Sequence, residues 1–301
     1  MRYKFLTLSQ TKTAYIQLHI AVLLFGFTAI LGNLIDMSAV MIVWWRVLIT
    51  SISLFFLIKF RRDVLSLPRV LILKYLGIGV LIALHWICFY GAIKLANSSI
   101  ALICVATVAF FTSMLEPIIN RRKVDPVELL LGFLIIPGMY VIVQNVDASY
   151  VAGIWAGLAA AFLAALFSIL NKRYINDASA YTINFLEMVS ATVLVSLIIP
   201  LAGNVTYMGY FLPQRTIDWG YLLVLALVCT TFTNVITLKS LKHLTAFASN
   251  LVFNFEPLYG IVLAAILLKE YEQLTTGFYI GGTMIISIVL LHPMIQKWRK
   301  Q

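Results

Sequence analysis

Three ionisable residues stand out because each lies inside a long run of apolar residues: Arg46, Glu187 and Glu256. A charged side chain near the centre of a bilayer costs at least ~2.5–3.5 kcal/mol, so such residues normally face protein or water and mark a site. A guanidinium can hold a carboxylate or a phosphate, and a buried unpaired carboxyl takes up a proton. These residue types therefore suit the recognition of a charged solute and coupling to protons.

Arg46 lies seven residues from one end of its apolar segment, so about 10 Å deep at 1.5 Å per residue. Thr50 and Ser53 follow at i+4 and i+7 and extend a polar stripe along the same helix face. The stripe has two interpretations: a guanidinium that faces a cavity, or a structural charge paired with backbone carbonyls or with an acid on a neighbouring helix.

An aromatic stripe, Trp86 and Tyr90, lies at a depth similar to that of Arg46 on another segment. His85 beside it is interpreted as a buried, hydrogen-bonded histidine among packing aromatics, with a polar role in the site as the alternative. We expect Trp86 and Tyr90 to line a substrate site together with Arg46.

Polar residues of the second half of the chain form a separate group around Glu187. Asn184 precedes Glu187 by three residues, and Asn234 on the next apolar segment falls at a similar depth. Glu187 is predicted to bind substrate or a proton. The alternative is a protonated structural carboxyl that is hydrogen-bonded to Asn or Thr.

Glu256 precedes Pro257 near the middle of its apolar segment. Because proline removes a backbone hydrogen bond, this pair predicts a kink, and carriers often place sites at broken helices. Asn254 joins Glu256 as a candidate, and Thr107 and Phe111 are expected opposite them. A simple hinge without a binding role is the alternative.

The composition identifies the solvent of these segments. Hydrophobic residues make up 62% of the 301 residues and charged residues only 11%, whereas soluble domains are about 25% charged. The net charge of +10 does not indicate nucleic-acid binding, because the bases lie between apolar segments. The three cysteines have no metal-ligand spacing. The sequence thus predicts an all-α integral membrane protein with no metal and no cofactor.

A helix needs roughly 20 apolar residues to cross a hydrocarbon core of about 30 Å. Ten segments satisfy this requirement: 15–34, 39–58, 71–93, 98–119, 127–145, 151–170, 181–200, 219–239, 246–268 and 274–293. The longest connection, 201–218, is predicted to be a surface loop.

Lysines and arginines alternate between the connections. The amino terminus, every second loop and the carboxy tail hold 17 of them, and the other loops hold only Lys94, Arg215 and Lys269. Since cytoplasmic loops carry the excess of basic residues, both termini are predicted to be cytoplasmic in a multi-pass cell membrane protein.

The chain resembles itself at an offset of about 145 residues. GFLIIPG from Gly132 matches GFYIGGT from Gly277, and other short matches follow in the same order. Two halves, 1–146 and 147–301, of five helices each would be inserted in opposite orientations, as in many transporters. Arg46 and Glu187 then occupy equivalent positions in opposite leaflets, which argues against a direct salt bridge.

ALICVATVAFFTSMLEPIINRRKVDPVELLLGF and LTAFASNLVFNFEPLYGIVLAAILLKEYEQLTTGF resemble the fourth to fifth and the ninth to tenth helices of EamA-type members of the drug/metabolite transporter superfamily. The Glu256–Pro257 pair and the Lys269–Glu270 helix end are the most characteristic parts. In the first half NRRKVD departs from the family's helix end. The resemblance implies ten helices, a central cavity and transport of metabolites or drugs, often as an exporter.

The prediction is a secondary-active exporter of small organic metabolites such as amino acids, working by alternating access as a monomer or homodimer. Spans one to four and six to nine would line its cavity. A membrane-embedded enzyme and a channel subunit are the alternatives. Motifs of metal or serine hydrolases are absent from the sequence, and a ring of like residues, expected for a channel, is not evident.

Overall fold

The computed structural model describes residues 2–201, 211–244 and 252–298, and within these ranges the chain contains helices and no strand. The α-helices are α1 Arg2–Leu34, α2 Ala39–Leu57, α3 Phe60–Asp63, α4 Arg69–Leu95, α5 Ser98–Val105, α6 Val108–Asn120, α7 Pro126–Phe133, α8 Ile135–Asn145, α9 Val151–Tyr174, α10 Ala180–Leu201, α11 Thr216–Leu223, α12 Thr233–Leu241, α13 Glu256–Leu268 and α14 Thr276–Trp298. A π-helical segment, Val224–Phe232, joins α11 to α12.

Eight stretches of the described residues are long and apolar enough to cross a membrane, and they coincide with the first eight predicted spans. Shorter apolar helices, Glu256–Leu268 and Thr276–Leu291, occupy the positions of the ninth and tenth. The predicted ninth span begins at 246, and residues 245–251 lie outside the described part of the chain, as do residues 202–210 of the long loop.

Local sequence signals set the helix ends. The Ser38 side chain accepts a hydrogen bond from the Met41 amide, and the Asn97 side chain accepts one from the Ile100 amide, so both residues act as N-caps. The Asp125 side chain accepts a hydrogen bond from the Val127 amide, and Pro126, which follows Asp125, occupies the first helical position. Such caps allow the short connections that hold neighbouring helices antiparallel.

The repeat is visible in the structure as one broken span in each half. Val108–Asn120 and Glu256–Leu268 each have 13 residues, and both follow an interruption within their span. Each ends at a residue with positive φ, Arg121 at 51° and Lys269 at 54°. The broken helices therefore lie at equivalent places in the two halves of the sequence.

Glycines let several helices approach closely. A Cβ at Gly281 would lie 2.5 Å from the carbonyl oxygen of Gly138, so α14 packs directly on α8 at this point. A Cβ at Gly153 would lie 2.7 Å from the Cβ of Ala96. Gly153 and Gly281 belong to two Gly-x-x-x-Gly pairs, Gly153/Gly157 and Gly277/Gly281, and these pairs are thus used for packing inside the bundle.

A test of this packing compares two glycines on one helix. A methyl group at Gly79 would collide with the backbone of Glu187, whereas a methyl group at Gly77 meets nothing within 4 Å. Since overpacking costs about 1–3 kcal/mol, Gly79→Ala should lower the melting temperature in detergent by roughly 5 °C. Gly77→Ala should leave it unchanged or slightly higher. Equal melting temperatures for the two variants would contradict the close crossing of α4 and α10.

Candidate functional site

Arg46 forms the centre of the best-defined polar site. Its side chain is 1% exposed; Nε donates to Thr230 Oγ1 at 2.7 Å and Nη1 donates to Tyr90 Oη at 2.8 Å. The guanidinium carbon lies 3.8 Å from the centroid of the Trp86 ring, a cation–π contact. The structure therefore brings together Arg46, Trp86 and Tyr90, as the sequence predicted.

The partners of Arg46 are all uncharged. None of the ion pairs found among the described residues includes Arg46. Buried charges are normally paired with an opposite charge, because leaving water costs several kcal/mol per ion. Within the described residues the cation is thus held by a hydroxyl, a phenol and an aromatic face, and it forms no ion pair with an acid.

The π-helical segment is what places Thr230 against Arg46. Within it the hydroxyls of Thr230 and Thr231 donate to the carbonyls of Leu225 and Ala226, five residues back. Segments of this kind are rare and occur often at functional sites. The segment is rich in threonine, with Thr230 and Thr231 inside it and Thr233 directly after it.

The polar stripe on α2 faces this same segment. Thr50 donates to the Ala226 carbonyl at 3.1 Å, and the Ser53 hydroxyl lies 2.8 Å from that of Thr231. Part of the predicted stripe is therefore a helix–helix contact. Arg46 is the only charged member of the stripe, and this contact supplies no opposite charge.

Glu256, at the break before α13, interacts electrostatically with Arg46. Glu256 begins α13 and has a mutual Coulombic interaction with Arg46, but the two form no ion pair within the described residues. Asn254 donates to the carbonyl of Val289 at 2.8 Å. Asn254 thus stabilises the break, while Glu256 supplies a carboxyl on the side of the bundle where Arg46 lies.

Glu187 and Asn234 belong to a different polar group. Asn234 donates to Asn184 Oδ1 at 3.2 Å, and Asn171 is the polar neighbour of Glu187. Among the contacts of the described residues, no hydrogen bond or ion pair joins Arg46 to Glu187 or Asn234. Glu187 lies seven residues into α10, about 10 Å from its first residue, whereas Arg46 is eleven residues, about 16 Å, from the end of α2 on the same side.

Thr107 and Phe111 make local contacts at the break between α5 and α6. Thr107 donates to the Cys104 carbonyl at 2.6 Å, and the Phe111 ring packs edge-on against Phe162 at 5.6 Å. No contact of the described residues links either side chain to Arg46. His85 lies 2.8 Å from the Ala160 carbonyl and packs against Phe89 and Phe167, which agrees with a structural histidine.

The two ends of the bundle differ. On the basic face, the end that carries Arg122, Lys172, Lys239 and Lys242, Glu116 pairs with Arg122 and Lys172. An open surface depression with a volume of about 320 Å³ lies on this face, between α1 and the end of α12. Its lining residues are Gln10, Thr13, Ala14, Gln17, Lys239, Lys242 and His243.

The opposite face is tied together by charged side chains. Lys94 and Arg215 donate to the carbonyls of Ile35 and Leu34 at the end of α1, both at 2.6 Å. Asp218, which is fully buried, accepts two hydrogen bonds from Arg215. These bonds raise the pKa of Arg215 above its ordinary value.

Glu270 makes three hydrogen bonds on the opposite face, and no sequence pattern predicted them. Its carboxylate, 2% exposed, accepts from the amides of Ser98 and Ser99 at 2.9 and 2.8 Å and from Ser99 Oγ at 2.6 Å. An anion at a helix N-terminus is favourable because the first amides lack partners. Glu270 thereby joins the connection after α13 to the start of α5.

The comparison with known families agrees with this architecture. The sequence profile of the EamA-like transporter family matches residues 12–144 and again residues 151–292. The chain belongs to the EamA-like transporter family. The double match shows that the two halves are repeats of one unit. Because the family is one of transporters, this EamA-like protein is a multi-pass membrane protein whose expected partners are a small-molecule substrate and the lipid bilayer.

Among solved structures, one described only as "Crystal structure of protein" has a TM-score of 0.67 over 96% of this chain and 99% of its own, at 13% identity. At this identity the similarity shows the fold alone. A search of curated proteins found no match.

Proposed function

We propose that this EamA-like protein is a secondary-active carrier of ten helices in two inverted five-helix repeats, 1–146 and 147–301. Its substrate is a small organic solute that carries a carboxylate, such as an amino acid. Arg46, Trp86 and Tyr90 hold the carboxylate, and Glu256 faces the ammonium group. The resemblance to exporters favours export as the direction.

The unpaired cation at Arg46 is the observation that carries the proposal. A guanidinium that lies over an aromatic ring, 3.8 Å from its centroid, and is fixed by two hydroxyl groups is preorganised for a planar anion. An arginine with only a structural role would be expected to have an acid within ion-pair distance. A substrate carboxylate supplies the missing anion, and the nearby carboxyl of Glu256 favours a substrate with a positive charge as well.

The difference between the two faces supports alternating access. Glu270, Lys94 and Arg215 tie the helices at the opposite face, while an open surface depression lies on the basic face. This asymmetry is expected of one state of a carrier that opens to one side at a time. The excess of basic residues on the basic face supports a cytoplasmic location for this face and for both termini.

Exchange in liposomes tests the proposal. Purified protein, reconstituted in liposomes loaded with unlabelled amino acids, should take up a pool of radiolabelled amino acids by exchange. Amino acid amides, in which the carboxylate is blocked, should not compete, whereas free amino acids should. If the pool does not exchange at all, or if amides compete as well as free amino acids, the proposed substrate class is wrong.

A further inference from the structure

A line of polar residues runs along the contact between α10 and α12 from the basic face to Glu187. We name it the α10–α12 seam. At the surface Lys242 donates to the Ala178 carbonyl at 3.5 Å, and one turn deeper Lys239 donates to the Tyr181 hydroxyl at 2.8 Å. One further contact follows in the same direction.

Deeper in the seam the side chains become buried. Asn184, fully buried, pairs with Asn234, and Thr237 is 8% exposed. Glu187, 2% exposed, lies one turn deeper on α10, about 10 Å from its start, and its carboxyl is hydrogen-bonded to Asn171 of α9. The contacts therefore form successive levels from the basic face to a carboxyl within the bundle.

The seam contains polar atoms without partners. The described residues include four buried side-chain nitrogen or oxygen atoms that lack a hydrogen-bond partner, and three of them lie in the seam or one turn beyond it on α10: Asn184 Nδ2, Thr237 Oγ1 and Glu187 Oε1. Buried polar atoms are nearly always satisfied by protein, by water or by a ligand. Three such atoms along one contact point to a hydrated path that ends at a group able to bind a ligand.

The titratable and basic groups on the helices around Glu187 are bonded to other partners. Tyr75 of α4 interacts with it electrostatically but donates its hydroxyl to the Tyr174 carbonyl. The nearest cation on α12, Lys239, is engaged at the surface with Tyr181, and the single charged residue of α2, Arg46, is bonded to Thr230 and Tyr90.

Other cations near the seam are also engaged elsewhere. Lys74 of α4 lies over the Tyr174 ring, and Arg173 of α9 bonds the Ile119 carbonyl. The neighbouring Lys172 pairs with Glu116. No basic residue of the described chain therefore forms an ion pair with Glu187.

We infer that Glu187 is a proton-binding site, separate from the Arg46 site, that exchanges protons with the basic face along the α10–α12 seam. An ionised carboxylate without a cation would cost several kcal/mol at this depth, so the buried group takes a proton. A metal cation is less suitable, because the seam offers an amide nitrogen among its free groups and because no cluster of three metal-ligating residues occurs in the described chain. This inference rests on the proposed function, since proton binding is useful to a carrier only if solute movement releases it.

Reconstituted protein tests the coupling. In liposomes with an internal pH dye, addition of the amino acid pool should move protons together with the solute. Glu187→Gln should reduce this proton movement to the level of empty liposomes while exchange of labelled amino acids between compartments of equal pH persists. Glu272→Gln, which removes an exposed acid at the opposite face, should retain both activities.

The outcomes separate the two proposals. Absence of exchange in the unmodified protein contradicts the proposed function. Exchange without proton movement in the unmodified protein, or unchanged proton movement in Glu187→Gln, overturns the inference alone.

Labelling of the unmodified protein provides a test that does not depend on the folding of a variant. A hydrophobic carbodiimide reacts with protonated carboxyl groups in apolar surroundings, and mass spectrometry of peptides locates the adduct. We expect an adduct on Glu187 at acidic pH that disappears as the pH rises. No adduct at any pH, or an adduct that does not change with pH, would overturn the inference.

Discussion

Replacing Arg46 with alanine should abolish measurable exchange of amino acids. Loss of one partner of a buried charge pair costs about 2–5 kcal/mol, and about 1.4 kcal/mol corresponds to tenfold in affinity, so exchange should fall by roughly thirtyfold or more. Arg46→Lys should also be severely impaired, because an ammonium cannot stack on Trp86 and bond Thr230 and Tyr90 in the same plane. Initial rates of exchange in liposomes measure both effects.

The matched control for this substitution is Arg69→Ala. Arg69 is an exposed arginine at the start of α4, so the same truncation there should leave exchange unchanged. Melting temperatures in detergent and elution as a single species must show that the Arg46 variants are folded. A folded Arg46→Ala protein with normal exchange would mean that the guanidinium is structural and that the substrate site lies elsewhere.

Replacing Glu270 with alanine should destabilise the whole protein. Three hydrogen bonds to a buried carboxylate are lost, and the amides of Ser98 and Ser99 are left without a partner inside the bundle. The cost should be about 3 kcal/mol or more, which corresponds to a decrease of roughly 5–10 °C in melting temperature. Glu270→Gln should have a smaller effect, because its amide keeps one of the two accepting oxygens.

Glu272, two residues along the chain, provides the comparison. It lies with Glu270 on the one-turn 3₁₀-helix Glu270–Glu272, but its side chain is exposed. Glu272→Ala should therefore leave the melting temperature within about 1 °C of that of the unmodified protein, as expected for surface positions. Equal decreases for the two alanine variants would show that the tie between Glu270 and α5 does not form.

Glu270 also shows how a repeat can differ between its halves. Arg121 and Lys269 end equivalent helices with positive φ, so the residue that follows each of them, Arg122 or Glu270, is equivalent as well. Glu270 binds the start of α5, whereas Arg122 pairs with Glu116 and Glu128 of its own half. The departure of NRRKVD from the family pattern therefore has a visible consequence: the equivalent positions in the two halves make different contacts.

The sequence alone predicted the membrane-spanning segments, the excess of bases on one face and the repeat. These properties can be derived from single segments, because a helix that crosses a bilayer must satisfy its backbone internally and be apolar over its length. It also pointed to Arg46, Trp86 and Tyr90, because depth along a helix follows from residue count. The separation of Glu187 from Arg46 followed from the same count, once the halves were aligned.

The tertiary structure decided the partners of these residues. Thr230 meets Arg46 because nine residues adopt a π-helical path, and Glu270 caps a helix that lies 171 positions earlier in the chain. Such pairings depend on how helices cross and on which of several hydrogen bonds wins by about 1 kcal/mol, and no local pattern in the sequence encodes that choice. The sequence thus determined which charges enter the membrane and how deep. The packing determined that, among the described residues, Arg46 forms no ion pair with an acid, Glu187 forms none with a base, and Glu270 is bonded to Ser98 and Ser99.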